Sequence, residues 1–472
     1  MGERSAGIKY VLWLSFVASL GGFLFGYDTA VISGTVDQVS KQFSLDDITK
    51  GWYVGCALVG SIAGVVFSGT LSDMFGRKTV MIISAVLFTL SGIGCMISAG
   101  IHQLVIARIV GGIGIGVASV VSPLYIAEIS VPEARGRLVS LYQLAITVGF
   151  LGAYLANFGL LRHSETLLAR GATSGLYGKF FATEVWRGML GMESLPALLF
   201  FIVLFLIPES PRWLIVKTQE AKALSILKRI FGEHEAENQV INVKNLIKME
   251  TKSDWRMLLQ PGFRMAMIIG VALAMLGQFM GVNAVLYYGP TIFAESGLSR
   301  GDSLFYQVLV GLVNMLTTVL ALAIIDKVGR KKLVYWGVSG MIITLFLIGV
   351  YFCFAESLTL PHIFLLIFFL LYIFCCAISI CAVIFVLLSE MYPVKVRGAA
   401  MSVAGLSLWI GTYLIGQLTP WMLSTFTPAG TFWLFAFMCV PYILIVWKLL
   451  PETTGKSLEE IEEMWLLKGK QK

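Results

Sequence analysis

Glu128-Ile129-Ser130-Val131-Pro132-Glu133-Ala134-Arg135-Gly136 recurs in the second half of the chain as Glu390-Met391-Tyr392-Pro393-Val394-Lys395-Val396-Arg397-Gly398. A second signature, Gly69-Thr70-Leu71-Ser72-Asp73-Met74-Phe75-Gly76-Arg77-Lys78, recurs as Asp326-Lys327-Val328-Gly329-Arg330-Lys331. Each copy follows a long apolar stretch, and the two copies of each signature stand six such stretches apart. The chain therefore reads as two homologous six-helix halves.

Working outward, the apolar residues fall into roughly twelve blocks of about 20 residues, the length an α-helix needs to cross ~30 Å of hydrocarbon. The blocks lie near 10–36, 52–72, 79–99, 103–127, 138–160, 185–207, 264–291, 304–325, 333–354, 360–389, 399–423 and 429–450. With 57% hydrophobic and 13% charged residues over 472 positions, no water-soluble domain reads this way. The two-residue alternation of a membrane barrel is missing, so helices are left to satisfy the backbone in lipid. The expected fold is an all-α membrane protein of about twelve transmembrane helices in two pseudo-symmetric halves. Residues 1–207 would form the first half, 208–263 a cytoplasmic linker with amphipathic helices, 264–450 the second half and 451–472 a cytoplasmic tail.

Arg77 and Lys78, Arg135 and Arg137, the basic stretch Arg212 to Arg264, Arg330 to Lys332, Lys395 with Arg397, and Lys468 to Lys472 fall between alternate blocks or after the last. By the positive-inside rule these segments are cytoplasmic, and so are both termini. The net charge of +7 is spread over these loops and needs no nucleic acid to explain it. The first block is too long for a signal-peptide core and reads as a retained span. The seven cysteines lie in or beside apolar blocks, without metal-ligand spacing or histidine partners, and their expected role is packing. Gly111-Gly112-Ile113-Gly114-Ile115-Gly116 has no strand before it. Gly112 and Gly116, four apart, fit close helix packing rather than a dinucleotide fold. Nothing in the chain reads as an enzyme site, a metal site or a cofactor site.

Parallel halves with a solute held between them are the expected layout of a rocking transporter. At each signature an acid, a turn-forming glycine and cations can pair with a Glu/Arg set on neighbouring helices. The gating set is Asp73, Arg77, Glu128 and Arg135 in one half and Asp326, Arg330, Glu390 and Arg397 in the other. Any one of these charges also serves as a positive-inside anchor, but that role does not explain the same order recurring twice.

Asp28 is the only charged residue between Tyr10 and Val36, and Arg108 the only one between Gln103 and Ala127. An ionisable group within a span marks a functional site. At 1.5 Å per residue, Asp28 lies about 27 Å up its helix from the cytoplasmic start and Arg108 about 7 Å down from the outer start of its own, so the two can meet. A carboxylate held between desolvation and a cation can switch protonation when the cation moves, which proton coupling requires. A static ion pair fixing helix packing is the alternative. Glu193, near Arg187 in sequence, is expected to be structural. Among polar residues in the later spans, Gln278 and Asn283 flank Gly281, with Gly277 beside Gln278, glycines that invite a broken helix. Asn283 and Tyr287 share a face, and Asn314 and Trp409 add an amide and an aromatic platform suited to sugar hydroxyls and the apolar face of a ring.

These features, with Gly26-Tyr27-Asp28-Thr29, Pro208-Glu209-Ser210-Pro211-Arg212-Trp213-Leu214 and Pro451-Glu452-Thr453-Thr454-Gly455-Lys456-Ser457, resemble the sugar porters of the major facilitator superfamily nearly end to end. The chain is most similar to the bacterial proton-coupled pentose symporters. The resemblance implies alternating-access symport of a monosaccharide or related polyol with a proton, Asp at position 28 accompanying symport where Asn accompanies uniport. It also implies a substrate site at Gln143, Gln278, Asn283, Tyr287, Asn314, Phe385 and Trp409. Passive uniport and, less readily, a non-transporting sensor stay open, although a chain ending about twenty residues after its last span is not expected to signal. A monomer in a bacterial inner membrane is expected, with the lipid bilayer, the sugar and the proton as its partners.

The departures from that pattern share a direction. Gly277-Gln278 replaces paired glutamines, Phe150 stands where a second Gln is usual, Cys381-Ala382-Val383-Ile384-Phe385 replaces Gly-Pro-x-x-Trp, and Leu408 replaces a Gln. Each lost partner would cost about 0.5–1.5 kcal/mol with a fully hydroxylated ring. The expected ligand is therefore smaller or less hydroxylated than glucose, or held weakly. Met74 stands where the family has Arg or Lys, which implies a gate held slightly less tightly.

Overall fold

The computed structural model describes residues 2–131, 134–249, 261–392 and 397–450. Pro132, Glu133, Pro393 to Val396, linker residues 250–260 and everything from Pro451, including the Pro451–Ser457 motif and Lys468 to Lys472, lie outside the described residues, as does the side chain of Asp326. Among the described residues every regular element is helical.

Ten spans follow the apolar blocks closely: Gly7–Gly34, Asp47–Phe75, Arg77–Ile97, Ile101–Ile129, Arg135–Ala169, Val185–Leu204, Phe263–Glu295, Arg300–Ile325, Arg330–Ala355 and His362–Leu388. An eleventh continuous stretch, Arg397–Lys448, has 52 residues, about 78 Å of helix and more than twice a bilayer core. Thr427, with φ 63° and ψ 164°, breaks it, and Pro428 follows at once. One span lies on each side of that break, so among the described residues the spans number twelve and the chain is a multi-pass membrane protein. The fifth helix runs nine residues past its apolar block, because Arg162, His163 and Glu165 continue the helix outside the apolar run, with an exposed Arg162–Glu165 pair at 3.8 Å.

Large apolar side chains face outward along these helices, among them Phe67 at 62%, Leu195 at 61%, Trp336 at 68% and Phe437 at 65% exposed. In water such a surface would be an aggregation hazard; in a bilayer it is the lipid face.

The chain forms two compact units, Met1–Gln38 with Cys56–Thr251, and Val39–Gly55 with Lys252–Lys472. In the first unit the second and fourth spans touch through glycines. A β-carbon on Gly112 would run into the Ala57 carbonyl, and one on Gly116 into the Ser61 carbonyl, so the Gly112/Gly116 face is a packing seam as its spacing predicts. The linker segment contributes three helices to this unit, Pro211–Val216, Glu220–Phe231 and Glu233–Met249. The second of these buries Ala223, Ile226, Leu227 and Ile230 and turns its charges outward, and Arg229 stacks over Tyr10 at 5.2 Å.

In the second unit the seventh span is broken. Pro261–Phe279 ends, Gly281 takes φ 89° and ψ 10°, and Val282–Glu295 begins. This left-handed position suits glycine alone, and a β-carbon there would meet the Phe435 ring. Of the two glycines expected to break the helix only Gly281 does so. Gly277 stays helical and buried, its face toward Ile380 and Tyr442.

Candidate functional site

In the first unit, the Arg108 guanidinium donates to the Asp28 carboxylate and, at 3.4 Å, to the Asp28 backbone carbonyl. Asp28 is fully buried and Arg108 is 2% exposed. The expected meeting of the two charges is therefore present, as an ion pair shut away from water.

Glu193 joins them, which the sequence reading did not foresee. Its carboxyl lies in hydrogen-bonding range of the Asp28 carboxyl and feels the Arg108 charge. Glu193 is 1% exposed, and among the described residues Asp28 Oδ2 and Glu193 Oε1 have no hydrogen-bond partner. Its expected neighbour, Arg187, is engaged elsewhere: it pairs with Glu184, donates to the carbonyls of Met96, at 3.1 Å, and Ser98, and stacks on Trp186 at 4.2 Å. The cause is a break in the sixth span, where Val185–Gly191 stops, Met192 and Glu193 form a turn, and Ser194–Leu204 starts again. The turn gives Glu193 a direction that its spacing from Arg187 does not predict. Two carboxyls and one guanidinium in a dry space are electrically neutral only when one carboxyl carries a proton.

In the second unit, the helix break gathers the polar set. Asn283 donates its amide to Gln278 Oε1 at 2.7 Å, and Thr412 donates its hydroxyl to the same oxygen at 3.1 Å. Thr412 lies one turn beyond Trp409 on the eleventh span, and Trp409 is 9% exposed. Thr412 is a polar residue missed earlier; its three-residue offset from Trp409 is the signal that would have found it. Tyr287 and Asn314 are buried within this unit, and Phe385 is half exposed. Gln143 is half-buried on the fifth span in the first unit, two turns before Phe150, which is 7% exposed and tilts against Tyr154 at 6.3 Å.

The repeated signatures form matching clusters. In the first unit Arg77 grips Glu128 through two bonds of 3.0 Å, while its other nitrogen reaches Asp73 at 3.0 Å and the Ser72 carbonyl at 3.1 Å. In the second unit Arg330 pairs with Glu390 at 3.0 Å, the equivalent arrangement. Arg397 turns back onto the Tyr392 carbonyl, and Arg135 is exposed.

The repeat extends further. Lys78 reaches the Phe205 carbonyl at 3.2 Å, at the end of the sixth span, and Lys331 the Leu450 carbonyl at 3.0 Å, at the end of the twelfth. Each cation sits on the carbonyl end of a helix, where the dipole favours it.

A carboxylate clasp joins the cluster in the first unit. Glu209 accepts the backbone N–H groups of Arg77, at 2.9 Å, and Lys78, at 3.1 Å, so it caps the third span. Burial pushes the Glu209 carboxyl above the ordinary carboxylate range, and the N–H groups of Ser210, Lys78 and Arg77 pull it back. Ser210 in turn donates to Glu128. The Pro208–Leu214 motif thus clasps the junction after the second span.

The sequence pattern of the family described as sugar (and other) transporters matches residues 14–465. The arabinose-proton symporter of Bacillus subtilis (strain 168) is 39% identical over 463 residues, covering 98% of this chain and 97% of its own. The D-xylose-proton symporter of Escherichia coli (strain K12) is 36% identical over 490 residues, covering 97% and 96%. The inward-open structure of the xylose transporter XylE from E. coli superposes with a TM-score of 0.79 at 36% identity, covering 97% of this chain and all of that one.

Proposed function

This chain belongs to the family of sugar (and other) transporters, and on that premise we propose that it carries a monosaccharide or related polyol together with a proton by alternating access. It is a transporter and not an enzyme.

The observation that carries the proton half is the dry grouping of Asp28, Glu193 and Arg108. With both acids ionised the group holds one uncompensated negative charge, which costs several kcal/mol away from water. With one proton bound the charges balance. Losing that proton is favourable only in a state that admits water or moves the guanidinium, so proton occupancy and conformation are linked. Relatives named as arabinose- and xylose-proton symporters support this reading.

The solute half rests on Gln278, Asn283, Thr412 and Trp409, neutral hydrogen-bonding groups with an aromatic face, as an uncharged sugar needs. Gln143, Tyr287, Asn314 and Phe385 complete the proposed site. The missing amides at 150, 277 and 408 favour a pentose, deoxysugar or polyol over a hexose.

The Arg77–Glu128–Asp73 and Arg330–Glu390 clusters, with Arg135, Asp326 and Arg397, would hold the cytoplasmic side shut in one state. Both termini would be cytoplasmic, in a bacterial inner membrane, with the protein a monomer.

The test is uptake into proteoliposomes under an imposed pH gradient, screening pentoses, deoxysugars, hexoses and polyols. One solute from the first, second or last class should accumulate above its outside concentration, and a protonophore should abolish that accumulation. Equilibration without accumulation would mean passive uniport. Tight glucose uptake, weakened by Gln278→Ala, would overturn the smaller ligand.

A further inference from the structure

Seven cysteines suit a packing role, yet two of them touch. The Sγ atoms of Cys376 and Cys381 lie 3.6 Å apart in the tenth span. In an α-helix residues five apart are rotated by about 140° and face different sides. Here residues Ala377–Cys381 form a wide turn of i→i+5 type, which rolls both thiols onto one face. Cys376 is buried and Cys381 is half-buried. Neighbouring Cys375 points away, toward Gly340 on the ninth span.

The wide turn also sits beside the hinge of the seventh span. Four residues before Cys376, the Tyr372 hydroxyl donates to the Met280 carbonyl at 2.8 Å, next to the left-handed Gly281. What fixes the tenth span at this turn therefore bears on the break that carries Gln278 and Asn283.

We propose that Cys376 and Cys381 form a reversible intrahelical disulfide, closed by a peroxide, that locks this turn. A bond of about 2.05 Å requires the sulfurs to approach by about 1.5 Å, within reach of side-chain rotation. The Cys381 thiolate attacks one peroxide oxygen, the O–O bond breaks, and the departing hydroxide leaves as water after taking a proton. The resulting sulfenic acid is attacked at sulfur by Cys376, and its hydroxyl departs as a second water. Two thiols are oxidised, one peroxide is reduced to two waters, and a dithiol reductant reverses the step.

The experiment treats the full chain in nanodiscs with hydrogen peroxide. It follows the mass of the peptide carrying Cys376 and Cys381, hydrogen–deuterium exchange across the tenth span and, in proteoliposomes, pH-driven uptake of L-arabinose and D-xylose. The peptide should lose two hydrogens and resist alkylation at both positions. Exchange around residues 372–385 should slow by about tenfold. Any uptake the untreated chain shows should fall in proportion to the disulfide formed, and dithiothreitol should restore all three readouts. Cys376→Ser and Cys381→Ser should abolish the response, and Cys375→Ser should keep it. A peptide that keeps its hydrogens, or a disulfide that leaves exchange unchanged, overturns the proposal. So does a response that survives in the serine variants. The mass and exchange readouts need no substrate, so a failed sugar panel counts against the transport reading and not against the dithiol.

Discussion

At the scale of single residues, the account turns on how many acids share one cation. Arg108 alone with Asp28 would be a balanced pair that needs no proton and could be purely structural. Glu193 changes that balance, and it is the residue the sequence concealed. Helical depth puts Asp28 and Arg108 in the same half of the bilayer, where they can meet, and in the structure they pair. Depth does not give azimuth, and the turn at Met192 and Glu193 sets where the second acid points. Glu193→Gln is therefore expected to lower the accumulation of sugar under a pH gradient by about tenfold while leaving sugar exchange at equilibrium within about twofold, as removal of one acid from a shared proton site requires. An unchanged accumulation ratio would return Glu193 to a structural role.

At the scale of elements, the two glycines beside the polar cluster predict opposite outcomes. Gly281 stands at φ 89° against the Phe435 ring, so Gly281→Ala carries backbone strain of about 1–3 kcal/mol as well as a collision. Gly277 is helical, and a β-carbon there meets Ile380 at 3.5 Å and Tyr442 at 3.7 Å, ordinary contact distances. In detergent, Gly281→Ala should lower the thermal unfolding temperature clearly and Gly277→Ala should leave it near the native value; equal behaviour would refute the assigned hinge. Both glycines look alike in the sequence, and only the backbone conformation separates them. The same limit applies to Thr412, an ordinary threonine in the sequence that the fold sets against Gln278.

At the scale of the molecule, the doubled signatures were the most legible feature, because the same charges recur in the same order. Their geometry recurs too, with Arg77 on Glu128 and Arg330 on Glu390, and Lys78 and Lys331 each on the last carbonyls of a span. The clasp of Glu209 on the third span was not legible, since it joins positions more than 130 residues apart through backbone N–H groups that leave no mark on the sequence. If the two clusters act as paired latches, Arg77→Ala and Arg330→Ala should each speed alkylation of cysteines introduced on the inner side and slow it on the outer side. Equal alkylation on both sides in either variant would contradict the latch.

We propose that a buried proton site drives sugar uptake. The most direct measurement compares the native chain with Asp28→Asn in proteoliposomes, recording accumulation under a pH gradient and exchange at equal sugar concentrations in the same preparation. The native chain should concentrate its sugar, whereas the Asn variant should exchange it and only equilibrate it. Accumulation by both proteins, or equilibration alone by both, would make Asp28 a structural charge and rule out its part in proton coupling.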